Sequence, residues 1–265
     1  MANSNDPPAD VTVIAHRGFA GVAPENTLAA AGRAGDLGAD AIECDVVATA
    51  DGTPVVFHDR RLDDRGPSRG ITDGTGSVDE RSTAAVTDAT VLGTANRIPT
   101  LAAFVDAVPD GVALNVELKH PGAATTTLRA PDGESRRARW RPLVERTLDA
   151  LDGEPTLFSS FSRSALEVVR SLSPNARVAP IAWDLDAAVG MAEAVDADAV
   201  HPSIEGLRST QRDPPGEYAV NAWTARTWQD ARDALGFGVD GLIADYPNLL
   251  PTATERDRSG ANGGE

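Results

Sequence analysis

Short apolar runs alternate with helical patterns along most of the chain. Runs of four to eight apolar and β-branched residues indicate strands, whereas apolar residues spaced three or four apart indicate helices. The pattern predicts strands at VTVIAHRG (11–18), AIECDVVAT (41–49), VALNVELK (112–119), PTLFSSF (155–161), RVAPIAW (177–183), ADAVHPS (197–203), YAVNAWTA (218–225) and GLIADYP (241–247). A further extended piece, TPVVFH (53–58), is treated as an extension of the second strand.

Helical patterns separate most of these strands and are predicted at 25–38, 101–108, 139–152, 163–173, 186–195 and 227–236. Eight strands that alternate with helices favour an α/β protein with a (β/α)₈ TIM barrel. A doubly wound open sheet is the alternative, because the number of strands does not exclude it. The segment GLRSTQRDPPGE (206–217) is short and proline-rich, so the sixth helix is predicted to be truncated.

The same pattern indicates one domain over residues 11–250. A region rich in glycine and aspartate interrupts the alternation between the second strand and about residue 98. The polar ends of the chain, 1–10 and 257–265, are predicted to be flexible.

The charge of the chain is strongly negative, with 40 acidic residues against 24 basic ones. Such a charge repels nucleic acids and anionic membranes, so neither is expected as a partner. The acidic residues are spread evenly, which favours a solvated acidic surface of the kind found in halophilic proteins. No signal peptide or membrane span is evident, so we expect a soluble, cytoplasmic protein. Composition does not fix the oligomeric state.

Two strands carry carboxylates where an apolar side chain would be usual. Residues two apart on a strand point to the same side, so Glu43 and Asp45 face together, as do Glu117 and Lys119. Carboxylates that converge would repel one another unless a cation lay among them, and Mg²⁺ or Ca²⁺ prefers such oxygen ligands. The alternative is that each is a surface group on an edge strand. Cys44 points to the opposite side and is expected to be a buried packing thiol, the only cysteine of the chain.

The four histidines and the single lysine lie at or near the carboxyl ends of predicted strands. These ends form the active-site face of a (β/α)₈ barrel. His120 and His201 are interpreted as structural residues held by hydrogen bonds. His16 and His58 lie in the local sequences HRG and HD, and two histidines near one metal suit acid–base chemistry.

Several short motifs follow one another in a fixed order along the first half of the chain. They are HRG (16–18), PENT (24–27), the E-x-D of Glu43 and Asp45, DG (51–52), HD (58–59), IPTL (98–101) and ELK (117–119). This ordered set resembles the glycerophosphodiester phosphodiesterase family. AWT (222–224) and GVDGLIADYP (238–247) are similar to the family's last strands. The residues after AWT, Ala225 and Arg226, depart from the usual pattern, and the departure bears on the leaving group.

The resemblance implies a (β/α)₈ barrel and a divalent-metal-dependent hydrolase that releases glycerol phosphate and an alcohol. It implies that Glu43, Asp45 and Glu117 hold one Mg²⁺ or Ca²⁺ ion, and that His16 and His58 are the acid–base pair. It further implies that residues 59–98 form a small insertion beside the pocket. The phosphate would be contacted by Arg17 and Lys119, and Asn26 would help to hold the metal shell or the phosphate. Trp223 would pack against the glycerol or the leaving group.

Two other functions compete with this interpretation. One is a phospholipase D-like barrel enzyme that acts on lysolipids, which would require an apolar entry loop, whereas residues 59–98 are mostly polar. The other is a non-catalytic protein that binds phosphodiesters, which would be expected to lack a histidine or a metal ligand. The sequence leaves open the alcohol, the choice between Mg²⁺ and Ca²⁺, the role of each histidine, and the attacking group.

Overall fold

Eight parallel strands close into a barrel. The computed structural model of the protein describes residues 11–121, 133–210 and 216–250. Within them the barrel strands are β1 (Thr12–His16), β2 (Ala41–Ala48), β4 (Ala113–His120), β5 (Thr156–Ser160), β6 (Arg177–Ala182), β7 (Ala199–Pro202), β8 (Ala219–Ala225) and β9 (Gly241–Ala244). Because β1 pairs with both β2 and β9, the sheet is closed, and the predicted (β/α)₈ fold is confirmed in place of the open sheet.

The sequence prediction was wrong for the strand β3 (Pro54–Val56). The prediction treated it as a continuation of the second strand, but β3 turns back and pairs antiparallel with the end of β2. The reversal occurs at Gly52, whose φ of +78° is readily available only to glycine and whose N–H donates to the carbonyl of Thr49. The chain therefore leaves the barrel at this hairpin.

Helices cover the outside of the barrel. They are α1 (Leu28–Asp36), α2 (Thr83–Thr87), α3 (Leu101–Asp106), α4 (Glu134–Leu151), α5 (Arg163–Leu172), α6 (Leu185–Val195), α7 (Ile204–Ser209) and α8 (Trp228–Gly236). Helix α1 starts at Leu28 rather than at 25, because the Thr27 hydroxyl caps it by accepting from Ala30 N–H. Helix α7 follows the sixth barrel strand and has only 6 residues, so the predicted truncation of the sixth helix is confirmed.

The core lies mainly between the barrel and its helices. Cys44 is fully buried there beside Val116 and Leu143, as predicted, and burial raises the pKa of its thiol well above the usual value. The segment 59–98 adds a separate apolar cluster that includes Leu62, Val86 and Ile98, which fixes it against β3. The ends predicted to be flexible, 1–10 and 257–265, lie outside the described residues. No described helix has both the length and the apolar character needed to cross a bilayer.

Candidate active site

The carboxyl ends of β1, β2 and β4 bring the predicted site residues together. The register pairs His16 with Glu43 and Asp45 with Glu117. All three carboxylates are buried, and one oxygen of each lies within 4.8 Å of the others. The predicted convergence of these acids is therefore what the structure shows, and they are not surface groups of an edge strand.

Burial makes this acidic cluster electrostatically costly. It raises the pKa of Glu43 well above the usual value, and the charges of Asp45 and Glu117 raise it further. Glu43 Oε1 and Asp45 Oδ1 are buried and have no hydrogen-bond partner among the described residues. Unpartnered carboxylate oxygens that face one another are the donor set that a hard divalent cation binds.

Two positively charged side chains partly offset the negative charge of the acidic cluster. Lys119 Nζ lies 2.7 Å from Glu117 Oε1 and 3.5 Å from Asp45 Oδ1, and Arg17 Nε lies 3.1 Å from Asp45 Oδ2. Although burial raises the pKa of Asp45, the charges of Arg17 and Lys119 outweigh it and hold this pKa well below the usual value. Asp45 is therefore the member of the cluster whose charged form the surroundings favour.

The loop after β1 places Arg17 and Asn26 beside the acidic cluster. Gly18 has a φ of +76°, and a Cβ there would lie 2.7 Å from that of Ala30, so HRG turns tightly against α1. The turn directs Arg17 N–H to Glu43 Oε2 at 3.0 Å. Asn26 donates to Asp45 Oδ2 at 2.8 Å and accepts from Asp45 N–H at 3.3 Å. Asn26 is thus a partner of the cluster's most acidic member.

His16 and His58 are each oriented by an aspartate. His16 Nδ1 lies 2.5 Å from Asp245 Oδ1, and His58 Nδ1 lies 2.6 Å from Asp59 Oδ1. A carboxylate only accepts, so each Nδ1 carries the proton and each Nε2 is left for chemistry. His16 Nε2 lies 4.0 Å from Glu43 Oε2, and burial lowers the pKa of His16 while Asp245 partly offsets that effect.

The other two histidines differ from each other. His201 is fully buried, its Nε2 lies 3.0 Å from Asn221 Nδ2, and burial lowers its pKa to about 3. The hydrogen bond predicted for His201 is therefore present, although its Nδ1 has no partner among the described residues. His120 is different, because neither ring nitrogen has a hydrogen-bond partner in the described parts of the chain. The expectation of a hydrogen-bonded His120 is therefore wrong among these residues, and burial of the unpartnered ring lowers its pKa to about 4.

The sequence analysis missed the residues that hold the histidines and Arg17. Asp245, Asp59 and Glu25 all lie inside recognised motifs, so those motifs could have indicated them. Arg69 in the segment 59–98 contacts both Asp59 and Glu25, and nothing in the local sequence distinguishes it from the other arginines of that segment.

The opposite wall of the site is aromatic. The rings of Trp183 and Trp223 lie 4.9 Å apart, and Phe161 lies 5.6 Å from Trp223. Trp223 is fixed by its indole N–H, which donates to the carbonyl of His201 at 2.8 Å. Together with the polar residues, these rings line a cavity of about 330 Å³. The half of the cavity at β1, β2 and β4 is mostly charged. The half at the ends of β5, β6 and β8 is mainly aromatic, with Arg226 as a charged residue in its lining.

Comparison of the sequence with known protein families identifies the relatives of this chain. A model of the glycerophosphoryl diester phosphodiesterase family matches residues 16–249, which span both histidines and all three carboxylates. The chain belongs to this family. The family predicted from the motifs is therefore confirmed, as is the enzyme class, a phosphoric diester hydrolase.

Individual family members are similar over nearly the whole chain. A Mycobacterium tuberculosis protein named probable glycerophosphodiester phosphodiesterase 1 is 30% identical over 285 aligned positions, which cover 95% of this chain and 94% of the relative. A glycerophosphodiester phosphodiesterase of Bacillus altitudinis is 29% identical, with 89% of this chain and 95% of the relative covered. The structure of an Oleispira antarctica phosphodiesterase in complex with the product sn-glycerol-3-phosphate is similar with a TM-score of 0.74 and 28% identity, covering 90% of this chain and 94% of that one.

Proposed function

We propose that the protein hydrolyses glycerophosphodiesters to an alcohol and glycerol phosphate, with a divalent cation and with His16 and His58 as the acid–base pair. The observation that carries the proposal is that both histidines have Nδ1 bound to an aspartate and line one cavity with the acidic cluster. The family membership and the product bound to the similar Oleispira antarctica protein support the substrate class.

The acidic cluster supports a single cation site. Glu43, Asp45 and Glu117 would hold the ion, because their buried oxygens converge and two of them, Glu43 Oε1 and Asp45 Oδ1, accept no hydrogen bond from the described residues. Carboxylate oxygens suit Mg²⁺ or Ca²⁺ rather than a soft metal. When bound, the ion would neutralise charge on the non-bridging phosphate oxygens and polarise the phosphorus centre.

The phosphate itself would be bound by residues around that site. The Arg17 guanidinium and the Lys119 ammonium border the cavity, and both are held by carboxylates rather than left to move. Fixed cations of this kind stabilise the charge that develops on phosphate oxygens in the transition state. Asn26 would keep Asp45 in place, and Trp223 would pack against the glycerol or the leaving group.

The histidines would move the two protons of the reaction. With the proton fixed on Nδ1, a neutral imidazole accepts a proton at Nε2 and an imidazolium donates one from there. One histidine takes the proton of the attacking hydroxyl, which belongs either to water or to the glycerol of the substrate. The other gives a proton to the departing alkoxide.

A second candidate function is the phospholipase D-like hydrolysis of lysolipids. The apolar entry that it requires is absent from the polar segment 59–98 but present on the other side of the cavity. There Trp183 is 68% exposed and Phe161 is 43% exposed, so an acyl chain could pack on them. A non-catalytic binding protein has less support, because both histidines and all three carboxylates are present.

We also propose that residues 11–250 act as one catalytic domain, with 59–98 as a small insertion at the edge of the pocket. Its support is that His58 precedes the insertion directly and that Arg69 within it contacts residues of the barrel loops.

The experiment that tests the function measures release of glycerol phosphate from glycerophosphocholine and glycerophosphoglycerol, and release of lysophosphatidic acid from lysophosphatidylcholine. Each substrate is assayed with Mg²⁺, Ca²⁺ or EDTA, at low and multimolar salt, because the acidic composition predicts activity at high salt. Turnover of the first two that EDTA, His16→Ala and His58→Ala each abolish supports the proposal. Turnover of the lysolipid alone supports the second candidate, and turnover unaffected by EDTA contradicts the metal site.

A further inference from the structure

Arg69 joins two loops that carry site residues. Its backbone N–H donates to Asp59 Oδ2 at 2.9 Å, and its Nε lies 3.1 Å from Asp59 Oδ1. Its two terminal nitrogens, Nη1 and Nη2, each donate to one oxygen of Glu25 at 2.8 Å. Bidentate contact with a carboxylate is the strongest form of this interaction, and a single guanidinium serves both acids here.

The contacts continue on both sides into the proposed machinery. Asp59 holds His58 Nδ1 at 2.6 Å, and Glu25 Oε1 accepts from Arg17 Nη1 at 2.8 Å. A continuous series of charged contacts therefore runs from His58 through Arg69 to Arg17. Asp59 and Glu25 are both buried, whereas Arg69 is 37% exposed and lies outside the cavity lining.

The charged contacts around His16 resemble those around His58, but they are weaker. Asp245, which holds His16, is itself contacted by Arg226 Nε at 3.0 Å. The side chain of that arginine is 63% exposed, and within the described residues its guanidinium pairs with Asp245 alone, whereas its backbone N–H donates to Asp230 Oδ2 at 3.1 Å. Each histidine is thus held by an aspartate that an arginine contacts. Only the series that starts at His58 continues, through Glu25, to Arg17, the proposed phosphate-binding residue.

We propose that Arg69 is a positioning residue that holds the general acid–base histidine His58 and the phosphate-binding Arg17 in a common geometry. The proposal rests on the proposed function and gives the insertion a role in catalysis. Asp59 and Glu25 are buried acids, and without Arg69 Asp59 would be left with His58 and Glu25 with Arg17 as the charged partner. His58 and Arg17 would then gain rotational freedom, and small misplacements of such groups are costly to the reaction.

The test compares Arg69→Gln, Arg69→Lys and Arg69→Ala with Arg65→Gln, an exposed arginine of the same segment whose side chain lies outside this series. With glycerophosphocholine and saturating Mg²⁺, Arg69→Gln is expected to lower kcat/KM by about 10- to 100-fold, as the loss of outer-shell partners does elsewhere. Both kcat and KM should change, because both His58 and Arg17 are affected. Arg69→Lys, which can reach only one of the two acids, should lose less, and Arg65→Gln should stay within about twofold of the wild type.

Two further readouts separate positioning from a structural role. Millimolar methylguanidinium should restore part of the activity of Arg69→Ala, because it can reoccupy the space between Asp59 and Glu25. The double variant Arg69→Gln with Asp59→Asn should lose little more than either single variant, since the two residues act in one series. If Arg69→Ala does not fold, Arg69→Lys and the double variant carry the same comparison.

A signal independent of turnover completes the test. The Nδ1 proton of His58 should give a downfield resonance in wild-type NMR spectra, assigned with His58→Gln, that is broadened or lost in Arg69→Gln. An inactive wild type that shows this change would overturn the proposed function while supporting the geometry. An active wild type whose Arg69→Gln variant keeps both the resonance and activity within about twofold would overturn the role of Arg69 alone. A loss of activity that equals the loss of folded protein would also overturn it.

Discussion

His16 Nδ1 lies 2.5 Å from Oδ1 of Asp245, a residue at the far end of the barrel sequence. The contact exists because β1 and β9 are neighbours in the closed sheet. It fixes which nitrogen of His16 carries the proton and leaves Nε2 directed to the acidic cluster. The chemistry proposed for His16 therefore depends on a residue that does not itself reach the phosphate.

Replacement of this acceptor should disable His16. In Asp245→Asn an amide can present its N–H₂ to Nδ1 and favour the wrong tautomer, so kcat/KM should fall by about 10²- to 10⁴-fold, the range that acid–base catalysis contributes. Steady-state kinetics on glycerophosphocholine measures the loss, with Asp233→Asn on the exposed face of α8 as the control. Activity of Asp245→Asn close to that of the wild type would show that Asp245 does not control the tautomer of His16.

Asp59 should contribute stability that depends on pH. Burial raises its pKa, but hydrogen bonds from His58 and Arg69 outweigh this and lower the pKa to about 2. A carboxyl whose pKa is lower in the folded state stabilises the protein above its unfolded pKa of about 4, and this stabilisation is lost as the pH falls toward 2. The contribution is on the order of 2 kcal/mol in the free energy of unfolding.

Urea unfolding at pH values from 6 to 2 measures that contribution. The wild type should lose more stability over the interval from about pH 4 to 2 than Asp59→Asn does, whereas the two proteins should respond alike between pH 6 and 5. Parallel curves down to pH 2 would mean that the folded carboxyl titrates as it does in the unfolded chain.

Lys119, the single lysine, should matter most when no cation is bound. Its ammonium lies 2.7 Å from Glu117 Oε1, so Lys119→Met leaves that buried carboxylate without its counter-charge. We expect a loss of about 3 kcal/mol in the free energy of unfolding in EDTA, and a smaller loss in excess Mg²⁺ or Ca²⁺, which would supply the missing charge. Lys119→Arg is the matched variant that keeps the charge. An equal loss with and without the ions would argue that no cation binds beside Glu117.

The two most exposed tryptophans allow a paired test of the aromatic wall. Trp183, 68% exposed, lines the cavity, whereas Trp228, 56% exposed, begins α8 and does not. Trp183→Ala should raise KM about 2- to 10-fold, which corresponds to the 0.5–1.5 kcal/mol of an aromatic contact. Trp228→Ala should leave KM unchanged. Equal effects of the two variants would show that the substrate does not reach the apolar half of the cavity.

Local periodicity predicted the alternating strands and helices and the pairs of acids, whereas the motif resemblance supported a closed barrel and implied the common metal site. Alternation along two strands was enough to place Glu43 beside Asp45 and Glu117 beside Lys119. It was not enough for β3, because the reversal at Gly52 depends on one backbone angle that does not alter the apolar pattern around it.

Contacts between distant segments were the part that the sequence did not reveal. Asp245 lies beside His16 only because the barrel closes, and Arg69 meets Glu25 only because the insertion folds back over the loop after β1. Neither contact has a periodic signal, and Arg69 is one of 23 arginines in the chain. Residues that act through other residues are therefore the ones that pattern and spacing leave out.

The central claim is that the acidic cluster binds one divalent cation on which hydrolysis depends. Calorimetric titration of Mg²⁺ and Ca²⁺ into the EDTA-treated, dialysed protein tests it most directly, with Asp45→Asn titrated in parallel. We predict one ion bound per chain in the wild type, binding lost in the variant, and turnover that rises in step with occupancy. Equal binding by the variant, or full turnover with no ion bound, would contradict the claim.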